Sequence, residues 1–112
     1  MKKGEIWWAS LPAPRGSEPG FRRPVVIVSS NEFNASHINT VLAATITSNL
    51  RLAQAPGNIK LTKKISKLDR DSVINVSQII TIDKSFLTEK INKLNQQNLH
   101  LLNEGLLLVM DL

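Results

Sequence analysis

With 112 residues, 42% of them hydrophobic, the chain is expected to form one domain, 1–112, large enough to bury a core without disulfides or structural metal. It contains no cysteine, which excludes disulfides, zinc fingers and thiol catalysis and fits a reducing cytoplasm. A formal charge of +5 favours anionic partners.

At the N-terminus two lysines precede only a short apolar stretch that Pro12 breaks, so neither a signal peptide nor a membrane span is expected. Gly4 to Ser10 reads as a strand, and its adjacent Trp7 and Trp8 must point to opposite sides of a sheet, one into the core and one partly exposed. Leu11 to Gly20 reads as a loop restrained by Pro12, Pro14 and Pro19. The polar stretch from Pro14 to Pro24 carries Arg15, Glu18, Arg22 and Arg23 and runs straight into the β-branched strand Val25-Val26-Ile27-Val28. A loop fixed to a rigid strand is a common mounting for reactive groups. Arg23 is the most constrained of these residues, because the residue before a proline is driven into an extended conformation.

Ser29 to Ser36 predicts a turn or short helical piece with Ser30 or Asn31 as its cap. Asn39 to Ser48 reads as a strand buried on both faces, which leaves Thr47 where a central strand leaves the core. Its hydroxyl is either a strand-end hydrogen bonder, the commoner case, or a donor facing a cleft. Asn49 to Asn58 is a loop ending in the Pro56-Gly57 turn signal, Ile59 to Thr62 a short edge strand guarded by Lys60, and Lys63 to Arg70 a basic irregular segment. No acid occurs between Glu32 and Asp69, whereas Arg51, Lys60, Lys63, Lys64 and Lys67 all fall there. On charge alone, nucleic acid and a plain solvated face are equal readings.

Asp71 to Ile82 alternates apolar and polar residues twice over, predicting one long bent strand or two joined by a bulge. Asp83 to Thr88 is a turn or single helical turn, and Glu89 to Leu94 a last strand. Asn95 caps a helix reaching about Met110, with Leu99, Leu102, Leu106 and Val109 at helical spacing. Gly105 weakens that helix by about 1 kcal/mol relative to Ala, so something should pack closely against it. The whole is mainly β with a C-terminal helix: five to seven strands without βαβ alternation, hence an antiparallel, partly closed sheet.

The residues exclude several chemistries. His37 and His100 lack acidic partners at metal-ligand spacing, and Asp69-Arg70-Asp71 carries its own counter-charge and reads as a turn before a strand. There is no serine in a strand-to-helix elbow, no phosphate-cradling glycine loop and no dinucleotide fingerprint. His37 in its loop is a weak acid/base candidate. Metal-free attack on RNA stays open, because the nucleophile is the substrate's own 2′-hydroxyl. The protein need only align it, move a proton and stabilise charge on the phosphorane oxygens. A fixed guanidinium such as Arg23 suits the last task, a threonine hydroxyl adds a donor, and Glu18 could orient the arginine or accept the proton.

The segments Gly4-Glu5-Ile6-Trp7-Trp8, Arg15-Gly16-Ser17-Glu18-Pro19-Gly20, Arg22-Arg23-Pro24-Val25-Val26, Thr47-Ser48, and Asp71-Ser72-Val73 with Gln78 to Lys84 together resemble the MazF/PemK toxin endoribonucleases. The resemblance covers nearly the whole chain. It implies an SH3-like, partly open antiparallel β-barrel, a homodimer without cofactor, and cleavage of single-stranded RNA at short sequences to 2′,3′-cyclic phosphate and 5′-hydroxyl ends. It also implies a cognate antitoxin as partner. Residue by residue, the family's catalytic arginine falls on Arg23, its threonine on Thr47 and its loop glutamate on Glu18. Ser17, Phe21, Arg22, Ser48 and Gln78 are the implied RNA contacts. A guanidinium is a poor base, so Arg23 is expected to act mainly by stabilising charge. For Phe21, stacking on a base competes evenly with capping the barrel; Gln78 could read a base edge or satisfy backbone at a bulge.

Two other classes remain open at this stage: a non-catalytic nucleic-acid-binding barrel and a protein-docking module, since fold does not fix activity. The first would bind RNA with steep salt dependence and leave it intact; the second would ignore RNA.

Overall fold

A computed structural model describes residues 1–12, 16 and 21–112. One six-stranded antiparallel sheet runs through it in the order β4-β5-β3-β2-β1-β6, built from β1 (Glu5–Leu11), β2 (Phe21–Ile27), β3 (Thr40–Thr47), β4 (Ile59–Leu61), β5 (Ser72–Asp83) and β6 (Leu87–Lys93). The two end strands of that order, β4 and β6, do not pair with each other, so the curled sheet stays open as a half-barrel.

Alternation along the strands gives each face its own apolar cluster. Ile6, Val26, Ala44, Ile46 and Ile74 share one face, which the C-terminal helix α3 (Gln96–Met110) covers with Leu102 and Leu106. Ala9, Val25, Ile27, Val41, Ala43 and Ile82 form the other. The two tryptophans part as expected, Trp8 packing on the first cluster and Trp7 on the second, but neither is fully buried. Trp7 ends in a hydrogen bond, its Nε1 donating to Glu5 Oε1 at 3.1 Å.

The long strand β5 has the expected break. Ala44 pairs with Ile79 but the next residue, Thr45, pairs with Asn75, so Val76, Ser77 and Gln78 have no opposite number. Three is odd, so face parity reverses across the break: Ile74 and Val76 lie with the first cluster, Ile80 and Ile82 with the second.

Short elements depart from the sequence reading. β2 begins at Phe21 instead of Val25, because Phe21, Arg22 and Arg23 pair with Leu11, Ser10 and Ala9 of β1. Pro24 is tolerated inside it because β2 pairs with β3 only from Val25 to Ile27 and is an edge on that side before then. The segment expected to be irregular contains α2 (Lys63–Ser66), capped by Thr62, whose hydroxyl accepts from Ile65 N–H at 3.3 Å. A 3₁₀ turn, Leu50–Gln54, lies in the loop after β3. The Ser30-capped α1 (Asn31–Ala35) is as expected. Val109 is 42% exposed despite its helical spacing, since the last turn of α3 runs past the core. Gly105 does face a close neighbour: a Cβ there would strike the carbonyl oxygen of Gly57.

Candidate functional site

The site lies where β2 and β3 part. Their last pair at this end is Val25 with Thr45, and two residues further along each strand stand Arg23 and Thr47. The antiparallel register thus sets the pre-proline arginine and the strand-end threonine at matching positions flanking one gap, on the same side of their strands. Arg23 is exposed. Thr47 is held from behind: its Oγ1 accepts the Asn49 N–H at 3.2 Å, which leaves its hydroxyl hydrogen to be donated elsewhere.

The gap widens into a cleft of about 290 Å³ lined by Trp8, Phe21, Arg22, Arg23, Pro24, Ser48 and the segment around Asp69 and Arg70. Arg22 lies over the Trp8 ring, with its guanidinium carbon 4.1 Å from the ring centroid, so a cation–π contact fixes the charge at the wall. Phe21 is 65% exposed and has φ of +60°, a region costly for a bulky side chain. A second depression continues from the first, sharing Ser48, Asp69 and Arg70 and adding Leu50, Lys63 and Asp71. The combined groove carries Arg22, Arg23, Arg70 and Lys63.

The β5 break is tied to β3. Thr45 Oγ1 donates to Gln78 Oε1 at 2.9 Å, which ties Gln78 to the strand that carries Thr47. Asn58 clamps the same break: its Nδ2 donates to Leu52 O at 2.9 Å and Asn75 Oδ1 at 3.2 Å, and its Oδ1 accepts from Val76 N–H at 2.9 Å. Ser77 Oγ donates to Asn75 Oδ1 at 2.8 Å, turning Ser77 toward the clamp.

Arg23, Thr47, Gln78, Phe21, Arg22 and Ser48 therefore lie toward one end of the sheet. Phe21, Arg22 and Ser48 line the cleft with Arg23, while Thr47 and Gln78 do not. Glu18 and Ser17 lie outside the described residues, as does Arg15. His37 precedes β3, at the opposite end of that eight-residue strand from Thr47, roughly 20 Å away at about 3.3 Å per residue. The sequence reading missed Trp8 as the partner of Arg22, Asn58 as the clamp, and Asp69 and Arg70 as cleft residues. The Asp69-Arg70-Asp71 turn was visible, but only Asp71 has the local role it suggested, accepting the Lys63 N–H at 2.8 Å.

The profile of the PemK-like, MazF-like toxins of type II toxin–antitoxin systems matches residues 2–110. Endoribonuclease MazF2 of Mycobacterium bovis is 44% identical over 112 residues, all of this chain and 98% of that protein. Endoribonuclease MazF of Staphylococcus saprophyticus is 37% identical over 106 residues, covering 95% of this chain and 88% of the relative. Among solved structures, an endoribonuclease in complex with its cognate antitoxin from a mycobacterial species superposes with a TM-score of 0.81 at 20% identity, over 100% of this chain and 96% of that one.

Proposed function

Because the chain belongs to the PemK-like, MazF-like toxins of type II toxin–antitoxin systems, we propose that it is a metal-independent endoribonuclease that cuts single-stranded RNA at short sequences. The observation that supports this reading is the β2–β3 register: its last pair is Val25 with Thr45, and two residues beyond it stand Arg23, on the wall of a cationic cleft, and Thr47. In the proposed reaction the 2′-oxygen attacks the adjacent phosphorus. The new O2′–P bond closes a 2′,3′-cyclic phosphate, the P–O5′ bond breaks, and the 5′-oxygen takes a proton from solvent water and leaves as a hydroxyl, so that the proton lost by the 2′-hydroxyl is balanced. The Arg23 guanidinium holds two non-bridging oxygens as negative charge builds on them, and Thr47 donates its free hydroxyl hydrogen to the same group. Glu18, which falls between β1 and β2 in sequence, is the proposed acceptor of the 2′-hydroxyl proton. Ser17, Phe21, Arg22, Ser48 and Gln78 are assigned to the flanking nucleotides.

An antitoxin is the proposed regulator, its acidic segment competing with RNA for the cationic groove. A homodimer is proposed as the working form. Its support is an apolar surface on the end of α3, where Leu107, Leu108, Met110 and Leu112 are all exposed. Acting on messenger RNA would place the protein in the cytoplasm.

The test is digestion of a long single-stranded RNA by the purified protein in EDTA, with the fragment ends sequenced and their chemistry determined. Cyclic phosphates and 5′-hydroxyls are expected. Arg23→Ala should lower cleavage by roughly 10²–10³-fold and Thr47→Ala by at least about tenfold, with unchanged circular dichroism. Full activity in either variant refutes the site.

A further inference from the structure

We propose that Asp69 reads a nucleobase in the cleft, accepting at one position of the RNA a base with an exocyclic amine and rejecting uracil; this rests on the endoribonuclease reading above. Asp69 lines both the first cleft and its continuation, in company with Arg22, Arg23, Arg70 and Lys63. A carboxylate there weakens the attraction of the groove for phosphate, so phosphate binding cannot be what it serves.

Nor does it hold the fold together. Glu5 accepts from Lys2 N–H and Trp7, Asp71 from Lys63 N–H, Asp83 from Ser85 N–H, and Glu104 meets His100. Asp69 has one described contact, with Arg70 Nε at 3.8 Å, beyond hydrogen-bonding reach, and the two side chains are 79% and 68% exposed. Its oxygens keep their acceptor capacity.

An ionised carboxylate only accepts. It matches the amino groups of cytosine and adenine, and it matches guanine doubly, through the parallel N1–H and N2–H donors. Uracil offers one N–H between two carbonyl oxygens, and both repel the carboxylate. Single-stranded RNA exposes these edges once a base is unstacked onto an aromatic ring. Phe21 lines the same cleft, with its ring exposed and its backbone in a costly conformation. A base stacked on Phe21 leaves its edge open for Asp69.

The experiment is cleavage of a random-sequence single-stranded RNA pool by wild type, Asp69→Ala, Asp69→Asn and Arg70→Ala, with the ends sequenced and each protein's melting temperature recorded. Wild type is expected to disfavour uracil at one fixed position by roughly 5- to 150-fold. Asp69→Ala should erase that bias and leave preferences elsewhere intact. Asp69→Asn, isosteric and able to donate, should admit uracil there and decides the matter should the alanine variant fail to fold. Arg70→Ala should slow cutting at all sites alike. An unchanged bias in a folded Asp69 variant, or a wild type with no position that rejects uracil, overturns the inference while the ribonuclease reading stands. RNA left wholly uncut by wild type overturns that reading and this inference with it.

Discussion

Glu5 is the acidic residue most deeply set in the described structure, and its surroundings decide its charge. Burial by itself pushes the carboxyl up, but the Lys2 N–H, the Trp7 indole N–H and the Lys90 ammonium at 3.1 Å outweigh it and hold the group below its ordinary value of 4.5. A carboxyl whose folded value is lowered contributes stability above its unfolded value and loses it as pH falls through the folded one. Melting temperatures measured from pH 6 down to 3 should therefore drop more steeply for wild type than for Glu5→Gln, with the curves converging at the acid end. Asn58 makes a second case at this scale. Two of its three described side-chain bonds serve the β5 break and the third holds the Leu52 carbonyl, so Asn58→Ala leaves buried Asn75, the Val76 N–H and Leu52 O each short of a partner. A loss of about 1–3 kcal/mol is expected in denaturant unfolding, with cleavage falling further than stability alone explains, because Gln78 shares that segment.

Among the elements, α3 and the loop before β4 meet through two glycines. Replacing a helical glycine by alanine normally gains up to about 1 kcal/mol, yet at Gly105 the added methyl meets the Gly57 backbone, which cannot swing aside. Gly105→Ala should thus destabilise by about 1–3 kcal/mol in denaturant unfolding, the reverse of the usual sign. The need for close packing at Gly105 was legible in the sequence because a glycine amid leucines costs helix stability without cause; its partner was not, since Gly57 reads only as a turn. The strands with β-branched runs and the Asn95-capped helix were legible for the same reason, local pattern agreeing with burial. α2 was hidden because Lys63-Lys64-Ile65-Ser66 has no apolar face of its own, and the early start of β2 because Phe21 to Arg23 become a strand only through pairing with β1.

For the molecule as a whole, the site is a product of register. Arg23 and Thr47 could each be singled out from local chemistry, Arg23 by its proline and Thr47 by its strand end, but their juxtaposition comes from the β2–β3 ladder. Asp69 was illegible as a cleft residue because its neighbours in space, Phe21 and Ser48, are remote in sequence. The groove's cations give a measurable signature. RNA affinity should fall with salt at a logarithmic slope of about −0.7 for each phosphate met, approaching roughly −3 were Arg22, Arg23, Lys63 and Arg70 all engaged. Light scattering should give twice the 12.4 kDa chain mass for the proposed homodimer, and a single-chain mass at working concentrations counts against it.

The three unpaired residues of β5 have an evolutionary corollary. On either side of them the ladder with β3 decides which way each side chain faces, Ile74 opposite Ile46 and Ile80 opposite Ala43, so a residue gained or lost between the two ladders leaves both apolar faces intact, whereas one lost inside a ladder flips every side chain beyond it. Length variation among descendants of this chain should therefore collect at that spot, and a library of one-codon deletions along β5 should yield folded protein there more often than between Val73 and Asn75 or between Ile79 and Ile82.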